Sequence, residues 1–240
     1  MTTAQHRSRT ALFAAVAALL GAAACTSSVG SAPGAGALSY DGIRSTAEKL
    51  RQNRAAQGAQ DICPFGLDLG KALTAAGIPG TATPDGGDGR AVDGDIGSGA
   101  PPQPWPSIVS HPPELPSVPA RPPHASVSCA WQVDGGTRLK AELTATTQPG
   151  VVVNLILPSI QRAANAEVDQ LQQISTDQPR PGQTKLLPGT GGAALARVAL
   201  KGEGDLALLL YQDRDSAELD PALTGEPLRK TTEALAAQLR

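Results

Sequence analysis

Aromatic residues are almost absent. Two Phe, two Trp and two Tyr are spread over 240 residues, so any core must be built from Leu, Val, Ile and Ala. Histidine and cysteine are equally scarce, at three copies each. No His, Asp or Cys cluster has the spacing of metal ligands, so neither a metal nor a cofactor is expected. Positive charge is not in excess: 20 Lys and Arg stand against 22 Asp and Glu. Without a basic stripe, a nucleic-acid partner is not expected. The apolar run 11–24 falls short of the ~20 residues that span a bilayer as a helix.

What the amino terminus does have is a leader pattern. MTTAQHRSR carries Arg7 and Arg9 and no acid, the apolar run follows, and polar Thr26, Ser27 and Ser28 come directly after Cys25. That is the order of a secretory signal peptide. Ser8 separates the two arginines, which favours general secretion over twin-arginine export. Ala22, Ala23 and Ala24 supply the small-residue cleavage site, and Cys25 is next. Small residues before a cysteine, with a Ser/Gly/Pro-rich stretch behind it, resemble a bacterial lipoprotein lipobox. The resemblance implies cleavage before Cys25 and diacylation of its sulfur, with plain secretion as the alternative. Each buried methylene contributes ~0.8 kcal/mol, so two or three chains hold a protein stably on a membrane. The expected location is therefore the extracytoplasmic face of the cell membrane, with the lipid on Cys25 as the link. Loss of Arg7 and Arg9 with the leader takes the formal net charge from −2 to −4.

With Cys25 assigned to lipid, Cys63 and Cys129 remain. In an exported chain two such thiols pair as a disulfide, two buried free thiols being the alternative. The organisation that follows is a signal peptide over 1–24, the lipidated Cys25 with a flexible tether over 25–40, and a single domain over 41–240. A disulfide between Cys63 and Cys129 would make the stretch between them a loop returned to one domain, not a linker between two.

Periodicity sketches that domain. Ile43, Ala47, Leu50 and Arg54 recur at helical spacing over 41–57, with Asp41 as the expected N-cap. Asp68 is the expected N-cap of a short helix bearing Leu69, Ala72, Leu73 and Ala76, closed by Gly77 and Pro79. Residues 80–125 turn first Gly/Asp-rich and then proline-rich, which predicts an irregular, solvated loop. The spacing of Asp85, Asp88, Asp93 and Asp95 fits no calcium loop. VSCAWQV alternates Val127, Cys129, Trp131 and Val133 on one face, Asp134-Gly135-Gly136 is a turn, and Leu139, Ala141, Leu143 and Ala145 alternate back. VVVNLIL over 151–157 favours a strand by its β-branched start, though a helix is compatible. Pro158 then opens a helix with Ile160, Ala164, Val168, Leu171 and Ile174 on one stripe. A short strand, a Gly-rich turn, a hairpin around Gly202–Gly204 and a last helix from Pro227 complete the chain. The expected class is α+β, a mostly antiparallel sheet with helices packed on one side, one disulfide and a long Gly/Asp/Pro-rich loop.

Catalytic signatures do not emerge. His111 and His124 both fall in the proline-rich stretch, a poor scaffold for a base that must sit ~3 Å from a nucleophile. PGTGGAA over 188–194 lacks the Lys-Ser/Thr of a phosphate loop, and Gly97-Ser98-Gly99 is no nucleophile elbow. Alternation puts Glu142 on the solvent side of its strand. Trp131 is expected as a core anchor beside the disulfide. Trp105, flanked by prolines, is a candidate partner contact if exposed, and otherwise tucks back on the domain.

DICPFGLDLGKALTAAG, SCAWQV, LLPGTGGAA and the terminal helix PLRKTTEALAAQLR, behind a leader ending in Cys, resemble small actinobacterial cell-envelope lipoproteins grouped as a domain of unknown function. In this chain Cys63, Cys129, Trp131, Gly189, Gly191 and Ala193 hold the corresponding positions. The resemblance implies a location and a fold and carries no activity. The expectation is a membrane-anchored, non-enzymatic binding or accessory module whose partner is an envelope protein, a wall polymer or a small apolar ligand. The alternative is an exported hydrolase-like enzyme.

Overall fold

The structure is a computed structural model that describes residues 38–53, 62–85, 90–107, 117–118, 120–213 and 218–239, all within one unit, Ala32–Arg240. Cys25, the leader, residues 26–37 and His111 lie outside the described residues. Among the described residues there are six α-helices and seven strands: α1 (Tyr40–Gln52), α2 (Leu69–Ala75), β1 (Ala82–Pro84), β2 (Val92–Gly97), β3 (His124–Val133), β4 (Thr137–Thr146), α3 (Val152–Leu155), α4 (Leu157–Ala164), α5 (Val168–Thr176), β5 (Thr184–Leu186), β6 (Ala193–Val198), β7 (Asp205–Gln212) and α6 (Glu226–Ala237). The strands form one antiparallel sheet in the order β1-β3-β4-β7-β6-β5, with β2 also paired to β3.

The alternating pattern of β3 and β4 is realised residue by residue. Val127 faces Leu143, Cys129 faces Ala141 and Trp131 faces Leu139. These side chains are buried and point to one face, where α1, α2 and α6 cover them in a single core. Cys63, just before α2, is bonded to Cys129 in the middle of β3, with Cα atoms 5.8 Å apart across 66 residues. The expected disulfide is therefore present, and Trp131 is buried beside it at 5 % exposure. A second clasp ties the same region to the carboxyl terminus. The Gln238 side chain accepts from the Asp68 N–H at 2.7 Å and donates to the Asp68 carbonyl at 3.0 Å. Among the described residues no helix is long and apolar enough to cross a membrane.

The α+β class, the antiparallel sheet and the Cys63–Cys129 disulfide are as expected, and four details need correction. Helices cover both faces of the sheet, not one. Val152, Val153, Ile156, Ile160 and Ile174 of the α3–α5 layer bury a second core against Ala193, Leu195, Ala207 and Leu209. The apolar run 151–157 accordingly forms α3 and the start of α4, since a helix delivers Val152, Val153 and Ile156 to that face together, which a strand cannot. The helix expected from Pro158 to Ile174 is two helices, because Asn165 takes the left-handed conformation (φ 52) and ends α4. At the other end of the chain, Ser39 and not Asp41 caps α1, its hydroxyl accepting from the Gly42 N–H at 3.2 Å.

The segment 80–125 is also more ordered than its composition implies. Its Gly/Asp-rich half supplies β1 and β2, which lie end to end along the free edge of β3. Ala130 joins them, its carbonyl accepting from Asp85 and its N–H donating to Ala91. Pro84 pairs with Trp131 and Val92 with Cys129, so the two strands meet β3 on either side of this one residue. Gly94 explains why glycine stands within β2: a Cβ there would collide with the Ala47 carbonyl oxygen, so its absence lets α1 lie flat on the strand. Further on, Ala100 bridges Arg121 and Gln103 bridges Val118. His124, expected in a loop, begins β3, and its ring lies directly over Gly97 of the neighbouring strand.

Candidate functional site

The second face of the sheet is only partly roofed. β4 and β7 alternate, so the residues turned away from the disulfide core are Lys140, Glu142 and Thr144 on one strand and Tyr211, Leu209 and Ala207 on the other. Lys140 and Tyr211 are register partners. The apolar members pack under α3 and α4. Where the strands pass beyond that cover, the side chains become polar and a cleft of about 370 Å³ opens, lined by Lys140, Ser159, Arg162, Ala163, Tyr211, Gln212 and Asp213. Pro158 in the first turn of α4 sets the helix so that Ser159 and Arg162 point at this opening, three residues apart on one face.

Its charges are balanced and mostly engaged. Asp213 receives Lys140 at 2.5 Å and Arg138 at 3.2 Å, and Arg138 reaches Asp85 at 3.5 Å. Glu142 accepts from the Thr144 hydroxyl at 3.3 Å and the Ser159 hydroxyl at 3.4 Å through one carboxylate oxygen. Two donors remain available. Arg162 makes one long contact, to Ser159 Oγ at 3.5 Å, and no ion pair among the described residues. The Tyr211 hydroxyl has no hydrogen-bond partner among the described residues. Burial, reinforced by the charges of Glu142 and Asp213, pushes this phenol up from 10.0 to about 12. It is therefore a neutral donor throughout the physiological range.

That shift has a direct optical test. The folded value lies above the unfolded one, so the stabilisation from keeping Tyr211 protonated is complete below pH 10 and is lost as pH rises toward about 12. The near-ultraviolet tyrosinate absorbance of the wild type, minus that of Tyr211→Phe, should rise with a midpoint near pH 12. A difference curve centred at pH 10, the ordinary phenol value, would show that the cleft does not desolvate the ring.

Two other hollows flank the sheet. One, of about 360 Å³, runs past the disulfide between Ile62, Leu67, Pro84 and Trp131. The other, of about 300 Å³, lies between α5 and the edge strand β5, over Ile174, Leu186 and Pro188. Neither gathers more than scattered polar groups. Among the described residues no group of three His, Cys, Asp or Glu is placed to hold a metal ion.

Of the residues that stand out in the sequence, Cys63 and Cys129 come together and belong to the core, not to the cleft. Cys25 lies outside the described residues. Trp105 is half-buried, two residues past the bridge at Gln103. The sequence pattern marks none of the cleft residues; Glu142, which alternation assigns to the solvent side, sits half-buried behind the cleft beneath Ser159. They come from three elements distant in sequence, and only the β4–β7 pairing joins them. One signal is available: the run DLALLLY is apolar at every position from Leu206 until Tyr211, which marks where cover on the second face ends. No protein-family model, no curated protein and no solved structure matches the chain.

Proposed function

We propose that the chain is an exported lipoprotein, anchored through lipid on Cys25 at the extracytoplasmic face of the cell membrane, whose folded domain is a non-enzymatic binding module. The Cys63–Cys129 disulfide carries this reading. A buried structural disulfide belongs to an oxidising compartment. It also removes two of the three cysteines, leaving Cys25 as the one that follows a small-residue cleavage site. The binding role falls to the cleft of α4, β4 and β7, because its carboxylates are already held by neighbouring donors while Arg162 and Tyr211 face the opening with capacity to spare.

Metabolic labelling tests the anchor. Radiolabelled palmitate should appear on the wild-type chain and on the Cys63→Ala/Cys129→Ala double variant, and should be lost entirely from Cys25→Ala. Label retained by Cys25→Ala would end the lipoprotein reading.

A further inference from the structure

The cleft between α4, β4 and β7 has a chemistry specific enough to name the class of its ligand. Lys140, Arg162 and Asp213 line it, Arg138 and Asp85 stand behind Asp213, and Glu142 stands behind Ser159, so three cations meet three carboxylates. A phosphate or carboxylate ligand would meet as much repulsion as attraction, and so would a cation. Ionic recognition needs a local excess of one sign, which is missing here. What the cleft offers is donors and acceptors side by side. Arg162 has guanidinium N–H groups to spare, the Tyr211 hydroxyl has no partner among the described residues, and the Ser159 hydroxyl accepts one hydrogen bond of the two it can take. Tyr211 adds an apolar ring behind its polar tip, half-buried against the second core. A volume of about 370 Å³ sits at the lower end of the range for small-molecule sites.

We propose that this cleft binds an uncharged, polyhydroxylated sugar, presented as one unit or as the end of a glycan chain. Each sugar hydroxyl both donates and accepts, so it matches a rim on which Arg162 and Tyr211 donate and the Ser159 hydroxyl and the Asp213 carboxylate accept. The apolar C–H face of the ring finds the Tyr211 ring. Glu142 positions Ser159 from behind, since the Ser159 hydroxyl donates to it at 3.4 Å and accepts from Arg162 at 3.5 Å. The inference rests on the binding-module reading and supplies its ligand class: for a chain held at the outer membrane face, a wall polysaccharide is the polymer within reach.

Titration of the full-length protein in detergent micelles with chitotriose and maltotriose, followed by saturation-transfer NMR, tests it. Inorganic phosphate and acetate serve as ionic probes. At least one sugar should bind, with an affinity unchanged between about 50 and 500 mM salt, because no ion pair forms with the ligand. Tyr211→Phe removes a hydroxyl and leaves the packed ring, so it should fold normally and weaken binding about ten-fold. Arg162→Gln, on the exposed face of α4, should weaken it by a similar factor. No response to either sugar, an affinity untouched by both variants, or tight binding of phosphate or acetate alone overturns the inference. Cleavage of a bound trisaccharide would instead overturn the non-enzymatic reading and leave the ligand class standing.

Discussion

Replacing Asp205 with alanine is expected to cost about 3–5 kcal/mol, the usual loss when one partner of a buried, hydrogen-bonded ion pair is removed. Asp205 opens β7 and is 3 % exposed. One of its carboxylate oxygens accepts from Arg197 Nε at 3.1 Å and Nη2 at 2.6 Å, and from the Leu206 N–H at 3.1 Å. The other accepts from the Val152 N–H at 3.2 Å. This side chain therefore does two jobs: it neutralises Arg197 on the adjacent strand, and it satisfies the free N–H at the start of α3, pinning that helix to the second face. Alanine strands a half-buried guanidinium, held otherwise among the described residues only by the Pro179 carbonyl at 3.3 Å, and leaves a buried N–H unpaired. Set against a typical domain stability of about 5–15 kcal/mol, that is enough to move the urea midpoint far or unfold the chain outright. The double variant Asp205→Ala/Arg197→Met should recover part of the loss, because it removes the stranded charge. A single-variant loss below about 1 kcal/mol would mean that water reaches Arg197 and the pair is not a structural element.

The Asp205 result depends on a layer of the molecule that the sequence only partly discloses. The disulfide core is open to inspection: strict alternation of Val127, Cys129, Trp131 and Val133, a Gly-rich turn and a second alternating run specify a hairpin with one buried face. The pairing of Cys63 with Cys129 follows from counting. The second core is masked by composition. VVVNLIL has the β-branched residues of a strand, yet Val152, Val153, Ile156, Ile160, Ala163 and Ala164 keep helical spacing when followed into the next segment. Local propensity is outweighed by the need to cover Leu195, Ala207 and Leu209, and β7, apolar on both faces, is the segment that discloses such a need. Residues 92–97 show the reverse case. VDGDIG has weak strand propensity, and it becomes β2 because α1 presses on Gly94, a tertiary contact that no local pattern contains. The cleft is the least legible part. Lys140, Ser159, Arg162 and Tyr211 carry no motif, and they meet only because β4 pairs with β7 and α4 crosses between them.

Removing the disulfide by the Cys63→Ala/Cys129→Ala double substitution is expected to cost about 4 kcal/mol, the chain-entropy value for closing 66 residues. The enclosed segment explains why so large a share of stability falls on one bond. Between the two cysteines run α2, β1, β2 and the whole Gly/Asp- and proline-rich stretch. β1 and β2 are short edge segments that pair with β3 alone, and the bridges at Ala100 and Gln103 are isolated. Such a segment has little strand pairing of its own, so its return to the sheet depends on having its start fixed at Cys63 and on α1 packing over β2. In the unfolded chain the same bond restricts the ensemble most, because the loop is long. Two readouts distinguish a lost crosslink from a simple cavity effect. Loss of the crosslink expands the denatured state, so the dependence of unfolding free energy on urea should steepen as the midpoint falls. Proteolysis in native conditions should become fast within residues 80–125 and stay slow in β4, β6 and β7, which are held by pairing on both sides. An unchanged urea dependence, with cleavage sites spread evenly, would assign the loss to the two vacated side chains in the core. It would also mean that β1 and β2 hold to the sheet without a fixed start at Cys63, so that pairing with β3 and the packing of α1 suffice to keep them there.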